Sequence, residues 1–282
     1  MGSIQGRQVR FPLTATSRAI FESIIISRRS VHDESDEVLR TVAGLAFIEA
    51  GVTTWRFSLD SQEVLSRDLQ TIQTPSTGEA DVPARIEVTA EWISQPDIAA
   101  SSIAIRDGGN ANVFQHFGVV LVPRGFQIPV ITATTRNVRH YGLTLFEQNA
   151  AIQFDSPEYA LVLARYQYAS NYRRDFLTLE QGGGGYFVER HNFPHLHAPL
   201  QPDCDGCMLV GQQTGLDSYE FTGFRIPYGT ALYTPPDVIH GDGCIVGEHA
   251  ITVASASAIA DTVLFYNNDT RAMAPDAVAP NG

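Results

Sequence analysis

The stretch that decides the fold class is Ile86-Glu87-Val88-Thr89-Ala90-Glu91-Trp92, in which apolar and polar residues alternate. A period of two is typical of a β-strand with one buried face, because successive side chains point to opposite faces. Other short apolar segments follow between turns rich in Gly, Pro, Asp and Asn, at 141–145, 159–163, 186–188, 208–210, 221–226, 231–233, 251–254 and 262–266. Many short strands at such spacing predict a mainly β fold, either a sandwich or a barrel.

The residues before this region predict helices instead. Apolar residues recur at helical spacing in three stretches, and the third follows Asp60-Ser61-Gln62-Glu63, which has the form of a capping box. The three stripes are Ile20, Phe21, Ile24 and Ile25; Val38, Val42, Leu45 and Ile48; and Val64, Leu65, Leu69 and Ile72. We therefore expect an N-terminal helical segment over residues 1–80, a β-rich region over 84–165, a second β region over 166–268 and a flexible tail over 269–282.

Composition limits the classes of partner. Hydrophobic residues make up 44% of the 282 residues, so the chain can bury a core and is not disordered as a whole. The formal net charge of −12 would repel a phosphate backbone, which argues against nucleic acid as a partner. No apolar run approaches the roughly 18–20 residues of a membrane span, and three cysteines do not suggest a disulfide framework. We therefore expect a cytoplasmic protein with no membrane partner.

Histidines supply the chemical signal. His195-Leu196-His197 places two imidazoles on the same face of an extended strand, and His240 follows a proline-stiffened turn that begins at Pro235. Neutral imidazoles bind Fe(II), Zn, Ni, Cu and Mn, and three of them leave coordination positions for water and substrate. Because structural metal sites are usually closed, the pattern predicts a catalytic metal site made of His195, His197 and His240.

The stretch over residues 185–249 resembles the cupin family of small jelly-roll β-barrels. The second cupin motif has the form G-x5-P-x-G-x2-H-x3-N, and Gly229, Pro235 and His240 reproduce its spacing. Asp237 replaces the internal glycine, and Cys244 replaces the closing asparagine. The second motif is therefore matched from its glycine to its histidine.

The first cupin motif, G-x5-H-x-H-x3,4-E-x6-G, is only partly present. His195 and His197 stand where its histidine pair belongs, but Gln201 occupies the acidic position and Glu189 the position of the opening glycine. Gln201 is a candidate additional ligand through its amide oxygen. Carboxylates that are less well spaced for this role belong to Glu189, Asp203 and Asp205.

The resemblance implies a fold and an activity. It implies a metal-binding jelly-roll barrel over 166–268, with residues 84–165 forming its outer sheet or a degenerate first cupin. Three-His cupin sites are found in thiol dioxygenases, so it implies one Fe(II) ion and dioxygenation of a small polar organic substrate. The alternatives are a non-redox lyase or isomerase that uses Zn, Mn or Ni, and a ligand-binding cupin without catalysis. Because cupins often dimerise through their sheets, a homodimer is also implied.

Four more residues are candidates around this site. His191 lies four residues before the histidine pair and could be a ligand, an orienting residue or an acid/base. Tyr233 could donate a proton, and Asp242 could orient His240. Arg225 could hold a substrate carboxylate through two hydrogen bonds.

Two rival metal sites use the same histidines. His195 and His197 with Cys204 and Cys207 form H-x-H-x6-C-x2-C, a donor set suited to structural Zn. The sequence from His240 to Asp242 has the H-x-D form of a 2-oxoglutarate oxygenase site, but only one histidine follows it. The four glycines at 182–185 precede an apolar strand rather than a helix, which predicts a flexible turn and not a phosphate-binding loop.

Overall fold

The computed structural model describes residues 2–4, 7–27, 43–59, 63–70, 72–75, 78–94, 97, 100–101, 116–168, 186–254, 261–270, 274 and 277–279. The helices are α1 (Ala15–Ser27) and a 3₁₀ helix, η1 (Val138–Tyr141). The strands are β1 (Gly2–Ile4), β2 (Arg7–Val9), β3 (Ala43–Ile48), β4 (Gly51–Phe57), β5 (Leu65–Ser66), β6 (Ile86–Thr89), β7 (Glu91–Ser94), β8 (His116–Val122), β9 (Val130–Thr132), β10 (Thr144–Phe146), β11 (Ala151–Ser156), β12 (Leu161–Tyr168), β13 (Phe187–Arg190), β14 (His195–Pro199), β15 (Asp205–Gln213), β16 (Ser218–Arg225), β17 (Ala231–Thr234), β18 (Ile239–Ala254) and β19 (Asp261–Asn267). The predicted mainly β class is confirmed.

Among the described residues, none of the helices has the length and apolarity that crossing a bilayer requires.

The N-terminal segment is only partly helical. Helix α1 confirms the first predicted helix, and it buries Ile20 and Phe21 completely. The second predicted helix is wrong where the structure describes it, because Leu45 and Ile48 lie on β3. Val38 and Val42 lie outside the described residues. The third is also wrong, since Leu65 lies on the two-residue strand β5.

Burial on both faces explains the error at β3. This strand pairs with β12 and with β2, and both faces of its sequence are covered, so apolar residues occupy consecutive positions. A strand of this kind shows a continuous apolar run rather than alternation. A short continuous run contains the same i, i+3 pairs that a helix would show, and only the strand partners distinguish the two.

Strand β18 organises the part of the sheet that carries the site. Its first half pairs with β15 and, at one position, with β13. Its second half pairs with β12 and β14. Strand β17 pairs with β14 on one side and with β10 on the other. One long strand therefore connects two sections of the 16-stranded sheet.

An apolar cluster lies between the two sections of sheet. Met208 and Val210 contribute to it from β15, and Ala164, Leu232 and Ile251 contribute from β12, β17 and β18. The side chains of β14 and β17 that share a face with Leu232 therefore point toward this interior. We call this space the inner layer.

Along β18, the set of residues that faces the inner layer changes from even-numbered to odd-numbered, so both halves of the strand contribute side chains to it. His240 pairs with Val210 near the start of the strand, whereas Ile245 and Ile251 belong to the inner cluster farther along. Even-numbered and odd-numbered residues thus face the same space. The register of the β15–β18 pair shifts by an irregularity, which supplies the extra residue that this change requires.

Strands from the two predicted β regions pair with one another. Strand β6 pairs with β16, β8 pairs with β19, and β12 pairs with β18. Strands from residues 84–165 and 166–268 therefore belong to one sheet.

Part of the expected tail contacts the rest of the protein where the structure describes it. The backbone N–H of Ile128 donates to the carbonyl of Ala277 at 2.8 Å, and the N–H of Ala279 donates to Ile128 at 3.0 Å. Ala277 and Val278 are buried in an apolar cluster with Ile128. Residues 277–279 are therefore held in place, and the flexibility expected for the tail as a whole stays a prediction.

Candidate metal centre

Four buried side chains converge at the edge of the inner layer. Glu189 lies on β13, His191 follows that strand, His195 begins β14 and His240 lies at the start of β18. One potential ligand atom from each lies within 4.8 Å of the ligand atoms of the other three. We call these four residues the Glu/His3 group. Three nitrogens and one carboxylate oxygen could hold a divalent metal ion.

Strand pairing brings two members of the group together. Glu189 and His240 are direct partners in the antiparallel pair of β13 and β18. Direct partners project on the same face of a sheet with neighbouring Cβ atoms. As a result, Glu189 Oε1 lies 3.7 Å from His240 Nε2.

The turn before β18 connects the other two members. The backbone N–H of Asp237 donates to the carbonyl of His191 at 2.8 Å. His195 is paired with Thr234, the last residue of β17, so the same turn begins beside His195 and leads to His240. Asp237 has a φ of 64°, the left-handed conformation that favours glycine. A glycine would adopt this conformation without strain.

Backbone carbonyls orient all three imidazoles of the group. The Nδ1–H of His240 donates to the carbonyl of Val238 at 2.8 Å. The Nδ1–H of His191 donates to the carbonyl of Phe193 at 2.9 Å, and that of His195 donates to Thr252. A carbonyl can only accept, so each ring carries its proton on Nδ1 and has a lone pair on Nε2. This arrangement is the one that metal-binding histidines usually have.

Two of these lone pairs have no partner in the described part of the protein. Nε2 of His191 and Nε2 of His240 are buried without a hydrogen bond there. Leaving a buried acceptor unsatisfied costs about 1–3 kcal/mol. A bound cation would satisfy both lone pairs.

Burial keeps the imidazoles in the form that binds metal. Desolvation, together with the charge of His240, lowers the pKa of His191 to about 2. Desolvation also lowers the pKa of His240 to about 4 and that of His195 well below its ordinary value. All three rings are therefore neutral near pH 7, and no proton must leave them before a cation binds.

Ring contacts restrict the group further. His191 stacks on Phe193 with centroids 3.7 Å apart and an interplanar angle of 7°. It also makes edge-on contacts with His195 at 4.6 Å and with His240 at 4.8 Å. The site is therefore a packed arrangement of rings in which little rotation is available to any of the three.

Comparisons with known proteins identify no relative. No protein-family model matches the chain, and no curated protein or solved structure matches it. The chemistry of the site therefore has to follow from its own side chains.

His197, predicted as a ligand, lies outside the Glu/His3 group. Its position two residues along β14 displaces it from His195 by about 6.6 Å of strand. Its Nε2 lies 3.7 Å from Oδ2 of Asp242, which is itself two residues beyond His240. His197 and Asp242 thus form a second pair of side chains in the inner layer, next to the Glu/His3 group. Asp242 was predicted to orient His240, but it lies beside His197 instead.

His191 and Glu189 belong to the Glu/His3 group, whereas the sequence analysis predicted His197 and Gln201 as ligands. For His191, metal binding was only one of three predicted roles. Glu189 was considered only as a carboxylate with unsuitable spacing. Their spacing of two residues puts them on the same face as the chain leaves β13, which is the signal that could have found them together. Gln201, the predicted additional ligand, is exposed in the turn after β14.

Tyr233 and Arg225 also lie away from the group. Tyr233 is the partner of Leu196, so it projects from the face opposite to His195 and packs against Phe146 and Phe154. Arg225 lies 3.5 Å from Asp205 through its Nε. The structure places both side chains in other contacts, and the proton-transfer and substrate-binding roles stay predictions.

The two rival metal sites are not assembled among the described residues. The Glu/His3 group contains no cysteine. Cys204 donates its thiol hydrogen to the carbonyl of Glu248 at 3.0 Å. Cys207 is buried in the apolar cluster that contains Ile128, and not in the inner layer. The glycines at 182–185 lie outside the described residues.

Proposed function

We propose that this chain is a cupin-type metalloenzyme that binds one divalent metal ion through Glu189, His191, His195 and His240. The observation that carries the proposal is the convergence of three oriented imidazoles and one carboxylate in a buried site. The proposed ligand set replaces His197 with His191 and adds an acidic ligand. It also restores the three-His, one-Glu composition of a complete cupin site, although the order along the chain differs from the motif.

Within this class we propose Fe(II)-dependent dioxygenation of a small polar organic substrate. Four protein ligands leave two positions on a six-coordinate ion, enough for a substrate atom and O2. Bound Fe(II) would supply redox chemistry with O2, whereas Zn, Mn or Ni would act as a Lewis acid. Because Glu189 joins the group, the comparison with three-His dioxygenases no longer supports this choice.

The position of Tyr233 removes one candidate proton carrier for a non-redox lyase or isomerase. A lyase or isomerase would need a side chain that moves a proton at the bound substrate. Tyr233 was one candidate proton carrier, together with His191, but it projects from the opposite face of β17. The protein residues proposed at the metal would hold it, and all four of them are buried.

Metal analysis tests the proposal. Protein purified without added metal, and the same protein reconstituted with Fe(II) under anaerobic conditions, should hold about one metal ion per chain. The His195→Ala variant should lose it, and Tyr233→Phe, which alters a side chain on the opposite face of the neighbouring strand, should retain it. Full metal content in His195→Ala would overturn the site.

The reaction class has a separate test. Nitric oxide binds ferrous iron at an open position in place of O2, so the Fe(II) protein should give the electron paramagnetic resonance signal of a high-spin iron–nitrosyl complex. Consumption of O2 with a panel of small organic acids would then identify the substrate class. Native protein that contains only Zn, Mn or Ni and consumes no O2 would overturn dioxygenation and favour the lyase or isomerase.

A further inference from the structure

Thr234 has a buried hydroxyl group with no hydrogen-bond partner among the described residues. Its side chain is fully buried, and Oγ1 is inaccessible to solvent. The cost of such a hydroxyl is about 1–3 kcal/mol if nothing else binds it. Because nearly all buried polar groups are hydrogen-bonded, this hydroxyl points to a partner such as an ordered water or a bound ligand.

The position of Thr234 suggests where that partner is. Thr234 is the direct antiparallel partner of His195, so the two side chains project on the same face, with Cβ atoms about 4.5–5.5 Å apart. It also begins the turn whose Asp237 N–H binds the carbonyl of His191 and which ends at His240. The hydroxyl therefore lies next to the Glu/His3 group on the side of the inner layer.

We propose that Thr234 is a positioning residue whose hydroxyl donates a hydrogen bond to the exogenous ligand at the metal. That ligand would be a small group with an acceptor atom, such as water, an anion or a substrate oxygen. This inference rests on the proposed metal site. A threonine directly opposite a metal ligand on the paired strand would then select exogenous ligands that can accept a hydrogen bond.

Azide binding provides a test that does not require the substrate. The protein is loaded with Co(II), and azide is titrated while the visible absorption of the metal is followed. In Thr234→Val, metal content should stay at the wild-type level, and the azide dissociation constant should rise about 3- to 10-fold, the effect of one hydrogen bond. Thr234→Ser, which keeps the hydroxyl, should restore azide affinity.

A matched variant and a stability measurement exclude a general effect. Thr144→Val makes the same change on β10, where Thr144 is the partner of Tyr233 and lies on the other face. It should leave azide affinity unchanged. Without metal, Thr234→Val should be at least as stable as the wild type, because an unpartnered hydroxyl gives way to a methyl group of the same shape.

The possible outcomes separate this inference from the proposed function. Unchanged azide affinity in Thr234→Val, with metal retained, would overturn the role of Thr234 alone. Loss of metal from Thr234→Val would also overturn it, because the hydroxyl would then support the metal ligands themselves. Retention of metal in His195→Ala would overturn the proposed function instead.

Discussion

Glu189 Oε1 lies 3.7 Å from Nε2 of His240, and the two residues are direct partners on antiparallel β13 and β18. The distance is too long for a hydrogen bond, and Nε2 carries a lone pair rather than a proton. Two ligands that each lie about 2.1 Å from one ion are separated by roughly 3–3.5 Å. The spacing of this pair is therefore close to that of two atoms bound to the same metal.

Replacing Glu189 tests the acidic ligand. Glu189→Gln keeps the shape of the side chain but removes the negative charge and most of the donor strength of the oxygen. We expect the dissociation constant for Zn(II) or Fe(II) to rise at least about 10-fold, since even residues that only orient a ligand contribute 10- to 100-fold. Competition with a chromogenic chelator would measure it. Wild-type affinity in Glu189→Gln would show that the carboxylate does not bind the metal.

A pair of histidine variants distinguishes the structural group from the sequence motif. His191→Gln should lower metal affinity at least about 10-fold, because its Nε2 converges with the group. His197→Gln should lower metal affinity less than His191→Gln does, since His197 faces Asp242 and is not a member of the Glu/His3 group. Elemental analysis and chelator competition on both variants decide the question. The opposite order would restore the predicted pair His195 and His197 as ligands.

Asp237 tests the link between the turn and the site. With φ at 64°, Asp237→Gly should be neutral or stabilise the protein, whereas Asp237→Val should cost about 1–2 kcal/mol in free energy of unfolding. Asp237→Val should also weaken metal binding, because the turn holds the carbonyl of His191. Urea unfolding and chelator competition measure the two effects.

Asn149 supplies the control for that experiment, because its φ of 66° is nearly the same and it lies outside the Glu/His3 group. Asn149→Val should lose a similar amount of stability and retain full metal affinity. If both valine variants weakened metal binding equally, the effect would come from general destabilisation and not from the turn.

We expect Glu220, which lies on β16 outside the Glu/His3 group, to make a pH-dependent contribution to the free energy of unfolding. Its buried carboxylate accepts hydrogen bonds from Gln212 at 2.5 Å, from His140 at 2.5 Å and from Arg85 at 2.6 Å. Burial by itself raises the pKa of Glu220, but these hydrogen bonds lower it below the ordinary value. We expect Glu220→Gln to lower the free energy of unfolding by about 1–3 kcal/mol at pH 7.

The direction of the pH effect follows from the lowered pKa. The folded protein favours ionised Glu220, so its contribution is complete above the ordinary glutamate pKa of about 4.3 and is lost as the pH falls through the lower folded value. The difference between wild type and Glu220→Gln should therefore shrink below pH 4. Urea titrations at pH 7, 5 and 3.5 measure it, and a constant difference across that range would contradict the assignment. Metal content should be unchanged at pH 7.

Sequence patterns predicted the strands after residue 84 more reliably than the N-terminal elements. Alternation identified β6, where burial differs between the two faces. Strands β16 and β17 are buried on both faces, and short apolar runs between turn residues identified them instead. The stripe at Leu45 and Ile48 suggested a helix because β3 is covered on both faces, and that covering depends on β12, which lies far along the chain.

The site was predictable in part for the same reason. His195 and His240 were identified from motif spacing, and both lie in the Glu/His3 group. His197 was expected beside them because i and i+2 share a face. Sharing a face does not bring two side chains to one point, since each step of two residues moves about 6.6 Å along the strand.

The sequence by itself determined that the chain is mainly β and that histidines concentrate around β14 and the start of β18, because periodicity and residue type are local properties. Only the tertiary structure decided which carboxylate joins them. Glu189 meets His240 through the register of β13 on β18, and His191 through the turn at Asp237. Strand register is set by the packing of whole sheets, so it cannot be predicted from the spacing of residues within one segment.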